Sequence, residues 1–323
     1  MKDVLIMGGS YFIGRAIAER LSRSMNVTLL NRGSRCAPDG VRQITCDRSD
    51  CQKLTQALTG KTFDCIVDVC GLHQDHAQTL CHALNNPKSL KSLIFISSSA
   101  VYDVEHLDTP FKESDRLARN RFWNEYGTDK IAAEQAYLRF FTNNAPEVRT
   151  VFLRPPYVYG ENNYARRESF VFDHITGGRP VIIPKSNPKL QFIYAPDLAE
   201  IIAALIEKSD QLPIHSVFNA GNSAPVTCRE WVEACGRAAG MAPDIIEYDY
   251  AAAGRNVRDF FPFFDYDNIL DVSKIKEICP NETPFDAGLR NAFQWFTQNR
   301  QSITFYPHIA ANEAEILASL PQA

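Results

Sequence analysis

A tyrosine and a lysine four residues apart, Tyr126 and Lys130, are the side chains in this sequence best suited to moving a proton. A spacing of four puts the phenol and the ammonium on one face of a helix. A nearby ammonium favours the phenolate and lowers the phenol pKa from roughly 10 toward the working pH, so Tyr126 becomes a usable general base. The serine run Ser97–Ser99 ends an earlier apolar stretch and offers a hydroxyl to the same reacting oxygen. Because the Tyr-x-x-x-Lys spacing alone is common by chance, it gains weight only from the motifs that precede it.

A glycine-rich segment near the N-terminus is suited to binding a phosphate. Residues 8–14 read Gly-Gly-Ser-Tyr-Phe-Ile-Gly and lie between the first apolar run and a segment with helical spacing. Gly8 permits a tight turn, and free N–H groups at a helix N-terminus attract a pyrophosphate; a plain turn is the alternative interpretation. Tyr11 stands where the common G-x-x-G-x-x-G spacing has its middle glycine, so its side chain must point away from the phosphates. The predicted cofactor contacts here are Gly8, Ser10, Tyr11, Phe12, Ile13 and Gly14.

The end of the second predicted strand indicates which dinucleotide would bind. An enzyme that uses NAD usually places an acidic residue there to hold the ribose 2′-hydroxyl, whereas a 2′-phosphate calls for cationic or neutral donors. This chain has no carboxylate at that point and offers Asn31, Arg32, Ser34 and Arg35. We therefore expect NADP to be preferred over NAD. The alternative is that both arginines are solvated surface residues.

These residues need a framework to position them, and the first half of the chain predicts one. Short apolar runs bounded by turn residues alternate with helical patterns, which is typical of a parallel sheet with helices on both faces. The predicted strands are Val4–Met7, Val27–Leu30, Val41–Thr45, Cys65–Val69, Leu93–Ser97 and Val148–Leu153. The predicted fold class is therefore α/β, a doubly wound parallel sheet, which binds ligands at the carboxyl ends of its strands.

The second half of the chain predicts a smaller mixed α/β unit. Arg166–Ile175, Asp197–Lys208 and Thr227–Ala239 suit helices, and Val217–Ala220 suits a strand. Four prolines between residues 180 and 196 indicate a segment that wraps over the sheet rather than extending it. We expect a dinucleotide-binding domain made of residues 1–160 and about 191–225, and a substrate-binding domain made of about 161–190 and 226–323.

Composition and charge narrow the class of protein. The 323 residues carry 34 Lys and Arg against 38 Asp and Glu, a net charge of −4, so no global positive field attracts nucleic acid or an anionic membrane. Nine cysteines without a Cys-x-x-Cys pair favour reduced thiols over disulfides or a thiolate zinc site. His73, His76 and His82 fit an exposed helix better than a metal site, so no metal is predicted. Without a signal-peptide pattern or an apolar run of membrane length, we expect a cytoplasmic protein.

Taken in order, six segments resemble the extended and atypical short-chain dehydrogenase/reductases, the NAD(P)-dependent epimerase/dehydratase family. They are 8–14, Ser97–Tyr102, Tyr126–Lys130, Leu153–Gly160, Gln191–Leu198 and 218–221. The resemblance covers nearly the whole chain and implies a Rossmann-type fold. It also implies three catalytic roles: the hydroxyl is Ser98 with Ser99 as the fallback, the acid–base group is Tyr126, and the residue that orients the nicotinamide ribose is Lys130.

The same resemblance implies further contacts. Those expected along the cofactor are Asp47 at the adenine, the turn of Val69, Cys70 and Gly71, and Pro155 and Tyr157 beside the nicotinamide. The chain departs from many nucleotide-sugar epimerases at Pro155-Pro156, where those carry an Asn, and at Leu190-Gln191, where they often carry an Arg. The substrate contacts expected in their place are Ser99, Arg166, Arg167 and Arg258.

The function expected from these residues is NAD(P)-dependent epimerisation or reduction at a carbinol carbon of a nucleotide sugar, and a homodimer is compatible with it. A sugar 4,6-dehydratase is not expected, because such enzymes carry Asp-Glu after the catalytic hydroxyl residue and this chain has Ser99-Ala100. The alternative is a non-catalytic NADP-sensing or RNA-associated member, similar to the plastid stem-loop RNA-binding members. Its candidate patch is Arg116, Arg119 and Arg121 beside Trp123. The intact Ser-Tyr-Lys set favours the enzyme.

Overall fold

The computed structural model describes residues 1–84, 87, 89–303 and 307–320. Its central strands are β1 (Asp3–Met7), β2 (Asn26–Asn31), β3 (Arg42–Thr45), β4 (Cys65–Asp68), β5 (Ser92–Ile96), β6 (Arg149–Arg154) and β11 (His215–Asn219). They form one parallel sheet in the order β11-β6-β5-β4-β1-β2-β3. The predicted doubly wound parallel sheet is confirmed, and the direction of winding reverses between β1 and β4.

Helices cover both faces of this sheet, which is why its strands read as continuous apolar runs rather than alternating ones. One face carries α1 (Phe12–Leu21), α6 (Ala195–Glu207) and α8 (Ser273–Ile278). The other carries α2 (Cys51–Leu58), α3 (Gln74–Leu84) and α4 (Asn124–Asn144). Neighbouring residues of β1 therefore contribute to different cores: Ile6 packs with the first set of helices and Leu5 with the second.

A third core lies beside the carboxyl end of the sheet. Its strands are β7 (Tyr157–Tyr159), β8 (Val181–Pro184), β9 (Lys189–Leu190), β10 (Phe192–Tyr194), β12 (Val226–Thr227) and β13 (Ile245–Tyr248), and its helices are α5 (Glu168–Thr176), α7 (Cys228–Ala239), α9 (Phe285–Asn299) and α10 (Pro307–Ser319). The strands pair in twos, β7 with β10, β8 with β13 and β9 with β12. Trp231 stacks on Phe192 at a centroid distance of 4.0 Å in the middle of this core. The division into two domains stays a prediction.

The start of α7 shows how local sequence sets an element of this third core. The Thr227 side chain accepts a hydrogen bond from the Glu230 backbone at 3.2 Å, and the Glu230 carboxylate accepts one from the Thr227 backbone at 2.7 Å. This capping box satisfies two helix-end donors, and Gly240 ends the helix with a φ of 67°. The helix therefore has the limits that the sequence predicts.

The described part of the chain also bears on membrane spans, disulfides and metal sites. No described helix is long and apolar enough to cross a bilayer, and the cytoplasmic location stays a prediction. All nine cysteines are described and all are free thiols. Within the same ranges, no three His, Cys, Asp or Glu side chains gather as a possible metal site. The rings of His73 and His76 instead lie against each other at 3.8 Å.

Candidate active site

A cleft of about 970 Å³ opens at the carboxyl ends of the central strands. Its lining comes from the segments that follow β1 to β6, together with the start of α4 and the loop after β7. The cleft lies where the winding reverses between β1 and β4, which is where doubly wound sheets bind their ligands. Its volume is near the upper end of the roughly 300–1,000 Å³ usual for ligand pockets.

The glycine-rich segment forms one wall of the cleft and is shaped by two close approaches. Gly8 and Gly9 have φ values of 100° and 98°, which other residues rarely adopt. A Cβ on Gly9 would lie 2.5 Å from the Leu29 side chain, and a Cβ on Gly14 would lie 2.5 Å from the Gly9 Cα. No side chain of the described residues caps the start of α1, so its first N–H groups remain available to an anion. The wall fits a pyrophosphate.

Tyr11, which replaces the usual middle glycine, lies at the rim of the cleft. The Arg35 guanidinium carbon sits 3.9 Å from the centre of the Tyr11 ring. Tyr164, from the loop after β7, stacks on Tyr11 at 6.1 Å and meets Phe12 edge-on at 5.8 Å. The bulky residue is therefore accommodated by contacts across the mouth of the cleft, and Arg35 is drawn to it rather than into the cleft lining.

The end of β2 offers hydrogen-bond donors to the cleft. The Asn31 side-chain oxygen accepts bonds of 2.8 Å from the Gly33 backbone and the Gln43 amide. The Asn31 Nδ2 is buried and has no hydrogen-bond partner among the described residues. Arg32, Ser34 and Asp47 also border the cleft. An unpaired donor beside this wall of glycines fits the ribose of a dinucleotide.

A buried ion pair forms the floor beneath the turn at residues 69–71. Arg48 donates two hydrogen bonds to the Asp68 carboxylate, at 2.6 and 2.9 Å, and Tyr137 donates a third at 2.5 Å. Burial opposes ionisation of Asp68, but the Arg48 guanidinium outweighs it and lowers the Asp68 pKa. Sequence reasoning missed this pair. The available signals were a carboxylate that ends a buried strand and an arginine directly after Asp47.

Ser98, Tyr126 and Lys130 meet at the cleft, where the end of β5 faces the start of α4. Gly127 makes this approach possible, because a Cβ there would lie 2.5 Å from the Ala100 carbonyl oxygen. The Ser98 side chain is near enough to the Tyr126 phenol to act on its pKa, and its Oγ accepts a hydrogen bond of 3.2 Å from the Ala100 backbone. The Lys130 Nζ lies 6.0 Å from the centre of the Tyr126 ring.

The charges of this group differ from the sequence expectation. Burial raises the Tyr126 pKa, with the Ser98 hydrogen bond and the Arg167 charge opposing it. Burial lowers the Lys130 pKa to about 8, with the Asp68 carboxylate opposing it. The expected lowering of the Tyr126 pKa by Lys130 is not observed, because the Lys130 Nζ donates instead to the backbone oxygens of Gly71 and Ile96, at 2.6 and 2.7 Å.

The substrate side of the cleft contains one of the three predicted arginines. Arg167 borders the cleft, donates to the Val158 oxygen at 2.8 Å and lies 5.0 Å over the Tyr157 ring. Arg166 and Arg258 are not among the described residues that line the cleft. The Arg258 guanidinium carbon instead lies 5.0 Å from the centre of the Phe264 ring. The remaining predicted contacts all border the cleft. They are Val69, Cys70, Gly71, Ser99, Pro155 and Tyr157.

The arginine patch of the alternative hypothesis is partly neutralised. The Arg116 guanidinium lies 3.2 Å from the Asp103 carboxylate, and that of Arg121 lies 3.4 Å from Glu105. These arginines are exposed. A surface whose cations are paired with acids attracts phosphates less than an unpaired one would.

Residues 4–221 match the model of the NAD dependent epimerase/dehydratase family. The chain is 26% identical over 304 residues to the chloroplast stem-loop binding protein of 41 kDa b of Arabidopsis thaliana, covering 88% of this chain and 76% of that protein. It is 22% identical over 334 residues to a trifunctional UDP-glucose 4,6-dehydratase/UDP-4-keto-6-deoxy-D-glucose 3,5-epimerase/UDP-4-keto-L-rhamnose-reductase of the same plant. That match covers 92% of this chain and 48% of the relative, so the chain spans about half its length.

Among solved structures, the fold is similar to that of MoeE5 in complex with UDP-glucose and NAD. The TM-score is 0.73 with 21% sequence identity, and the match covers 92% of this chain and 99% of that one. The likeness at this identity concerns the fold. It extends over both the central sheet and the third core.

Proposed function

Since the chain belongs to the NAD-dependent epimerase/dehydratase family, we propose that it oxidises or reduces a carbinol carbon of a nucleotide sugar, as an epimerase or a reductase. The observation that carries the proposal is the meeting of Ser98, Tyr126 and Lys130 beside the glycine-rich wall of one cleft. A protein that only binds a nucleotide has no need of a proton-transfer group at that place. UDP-glucose and NAD, the ligands named for MoeE5, are the nearest models for substrate and cofactor.

The residues of the cleft suggest how the proton moves. The Tyr126 phenolate takes the proton of the substrate hydroxyl during oxidation and becomes the neutral phenol, which gives the proton back during reduction. Ser98, which borders the same part of the cleft as Tyr126, donates to the same substrate oxygen and keeps it aligned. Lys130, held at the cleft by its bonds to the Gly71 and Ile96 oxygens, would orient the nicotinamide ribose, and the Arg167 charge favours the phenolate. A nicotinamide dinucleotide, held by the glycine-rich wall and Asn31, would supply the reversible hydride acceptor.

We propose NADP as the preferred form of the cofactor. Asn31 Nδ2 and the side chains of Arg32 and Ser34 are donors at the end of β2, where an NAD enzyme usually has a carboxylate. A 2′-phosphate would gain a charged hydrogen bond from Arg32, and a free 2′-hydroxyl would not gain the same charge pairing.

RNA association is the second candidate function, favoured by the 26% identity to the stem-loop binding protein. Pairing of Arg116 and Arg121 with acidic neighbours weakens it. The net charge of −4 also argues against a broad basic face. The two hypotheses separate on whether Ser98, Tyr126 and Lys130 support turnover.

Incubation of the purified protein with a panel of UDP-hexoses and each nicotinamide cofactor tests the enzyme proposal. We expect an epimer or a change in nicotinamide absorbance, with no product lighter by one water, because Ser99 and Ala100 cannot act as the acid and base of an elimination. No turnover on any panel member, with tight binding of structured RNA instead, would favour the second candidate. A product lighter by one water would overturn the epimerase or reductase assignment.

A further inference from the structure

Aromatic rings form the wall of the cleft beside Tyr126. Phe122, Trp123, Tyr157 and Phe264 all border the cleft, and we call these four residues the aromatic wall. The Trp123 ring lies 5.7 Å from the Tyr126 ring, and Phe264 meets Trp123 edge-on at 4.9 Å. Aromatic side chains therefore adjoin the space that a carbon reacting at Tyr126 must occupy.

Trp123 is fixed in place from behind. Its Nε1 donates a hydrogen bond of 2.7 Å to the Tyr266 hydroxyl, and Tyr266 stacks on Phe122 at 4.4 Å. Trp123 is also the residue that precedes α4, three positions before Tyr126 on the same backbone. Since its only donor is already used, Trp123 presents a ligand with a ring face, and its rigidity reduces the entropy lost on binding.

We propose that Trp123 is a specificity-determining residue on which the reacting hexose ring lies, with the C–H face of the sugar against the indole. This inference rests on the proposed function. The face of an aromatic ring is negative and the hydrogens of C–H groups are weakly positive, so the two surfaces attract while also burying apolar area. The sugar hydroxyls then remain at the ring edge, where the Tyr126 and Ser98 hydroxyls reach the reacting oxygen.

Positive charge lies at another edge of the aromatic wall. The Arg167 guanidinium sits 5.0 Å over Tyr157, and that of Arg258 sits 5.0 Å over Phe264. With the hexose on Trp123, the diphosphate of a nucleotide sugar can extend toward Arg167, which borders the cleft. The wall therefore accounts for both parts of such a ligand, a ring with an apolar face and an anionic tail.

Tryptophan fluorescence provides a direct test, because the chain has three tryptophans in different settings. Trp231 is fully buried in the third core, and Trp295 lies half-buried on α9, away from the cleft. The intact protein, loaded with its cofactor, is titrated with UDP-glucose and separately with UDP. We expect UDP-glucose to change the emission more than UDP does. The extra change should persist in Trp295→Leu and disappear in Trp123→Leu and Trp123→Phe.

Calorimetry on the same variants completes the test. Trp123→Leu should weaken UDP-glucose binding by about tenfold, equal to about 1.4 kcal/mol, and leave UDP binding within about twofold. Trp123→Phe keeps a ring face and should keep most of the affinity. An equal emission change with UDP alone, or unchanged UDP-glucose affinity in Trp123→Leu, would overturn the role of Trp123 and spare the proposed function. Failure of the intact protein to bind any UDP-hexose of the panel would overturn both.

Discussion

Arg48 and Asp68 form a buried ion pair with two hydrogen bonds, of 2.6 and 2.9 Å, beneath the turn at residues 69–71. Asp68 also accepts a hydrogen bond from the Gly71 backbone at 2.9 Å, and the Gly71 oxygen accepts one from Lys130 at 2.6 Å. One ion pair therefore positions both the turn that borders the cleft and the lysine proposed for catalysis.

Asp68→Asn should lower the free energy of unfolding by about 3–5 kcal/mol, because it leaves the Arg48 charge buried without its partner. The Asp68 pKa is lowered in the folded protein, so its contribution is present above the unfolded value of roughly 4 and is lost as the pH falls further. The intact protein should therefore lose stability more steeply below about pH 4 than the variant does.

Urea unfolding measures both effects, and Asp286→Asn is the matched control. Asp286 pairs with Arg237 at 2.9 Å on the surface, where such pairs contribute about 0–1 kcal/mol. Equal losses of unfolding free energy in the two variants would show that the Arg48–Asp68 pair stabilises the fold no more than a surface ion pair does.

Glu168 should make stability fall as the pH rises toward neutrality. Burial raises the Glu168 pKa to about 7 from an ordinary value of 4.5. A carboxyl group with a raised pKa stabilises the fold fully below its unfolded pKa and loses that contribution as the pH rises through the folded one. The difference corresponds to about 3 kcal/mol between roughly pH 4.5 and 7.

The Glu168 carboxyl also accepts a bond of 2.9 Å from the Gly160 backbone, so it anchors the loop that carries Tyr164 and Arg167. Glu168→Gln keeps an acceptor and removes the titration. Unfolding measured at several pH values should show the slope in the intact protein and its loss in the variant. An unchanged slope in Glu168→Gln would assign the pH dependence to other groups.

Arg32→Asp should reverse the proposed order of cofactor affinities. The intact protein should bind NADP more tightly than NAD, and the variant should bind NAD more tightly, because the new carboxylate repels a 2′-phosphate and accepts a bond from a 2′-hydroxyl. Calorimetric titration with each cofactor gives both constants. The control is Arg139→Asp, which changes an exposed arginine on α4 outside the cleft. A clear preference of the intact protein for NAD would remove the basis of this prediction.

The sheet was predictable because its inner strands, such as β1, β4 and β5, are short runs of apolar residues buried on both faces, whereas the edge strand β3 is mostly exposed. The predicted Cys65–Val69 and observed Cys65–Asp68 differ by one residue, since the strand ends where Asp68 turns to Arg48. The glycine-rich wall was predictable for a similar reason, because its close approaches exclude a Cβ.

Contacts between segments distant in sequence were not predictable from spacing. Trp123 and Tyr266 are separated by 143 positions, and only the folded chain brings the indole to the hydroxyl. The same limit applies to Arg166 and Arg167, because the sequence of two adjacent arginines does not indicate which of the two borders the cleft. Arg167 borders the cleft because it directly precedes α5 beside the Val158 carbonyl.

Tyr126 is proposed to move the proton with the support of Lys130, and the rate of Tyr126→Phe is the direct test of that role. On a UDP-hexose that the intact protein converts, Tyr126→Phe should be slower by about 10²–10⁴ with nearly unchanged cofactor affinity, because only the acid–base group is lost. Lys130→Met should lower both rate and cofactor affinity. Tyr250→Phe, which removes a phenol bonded to Asp265 outside the cleft, should keep the full rate. Unchanged turnover in Tyr126→Phe would contradict the role of Tyr126 and show that another group moves the proton.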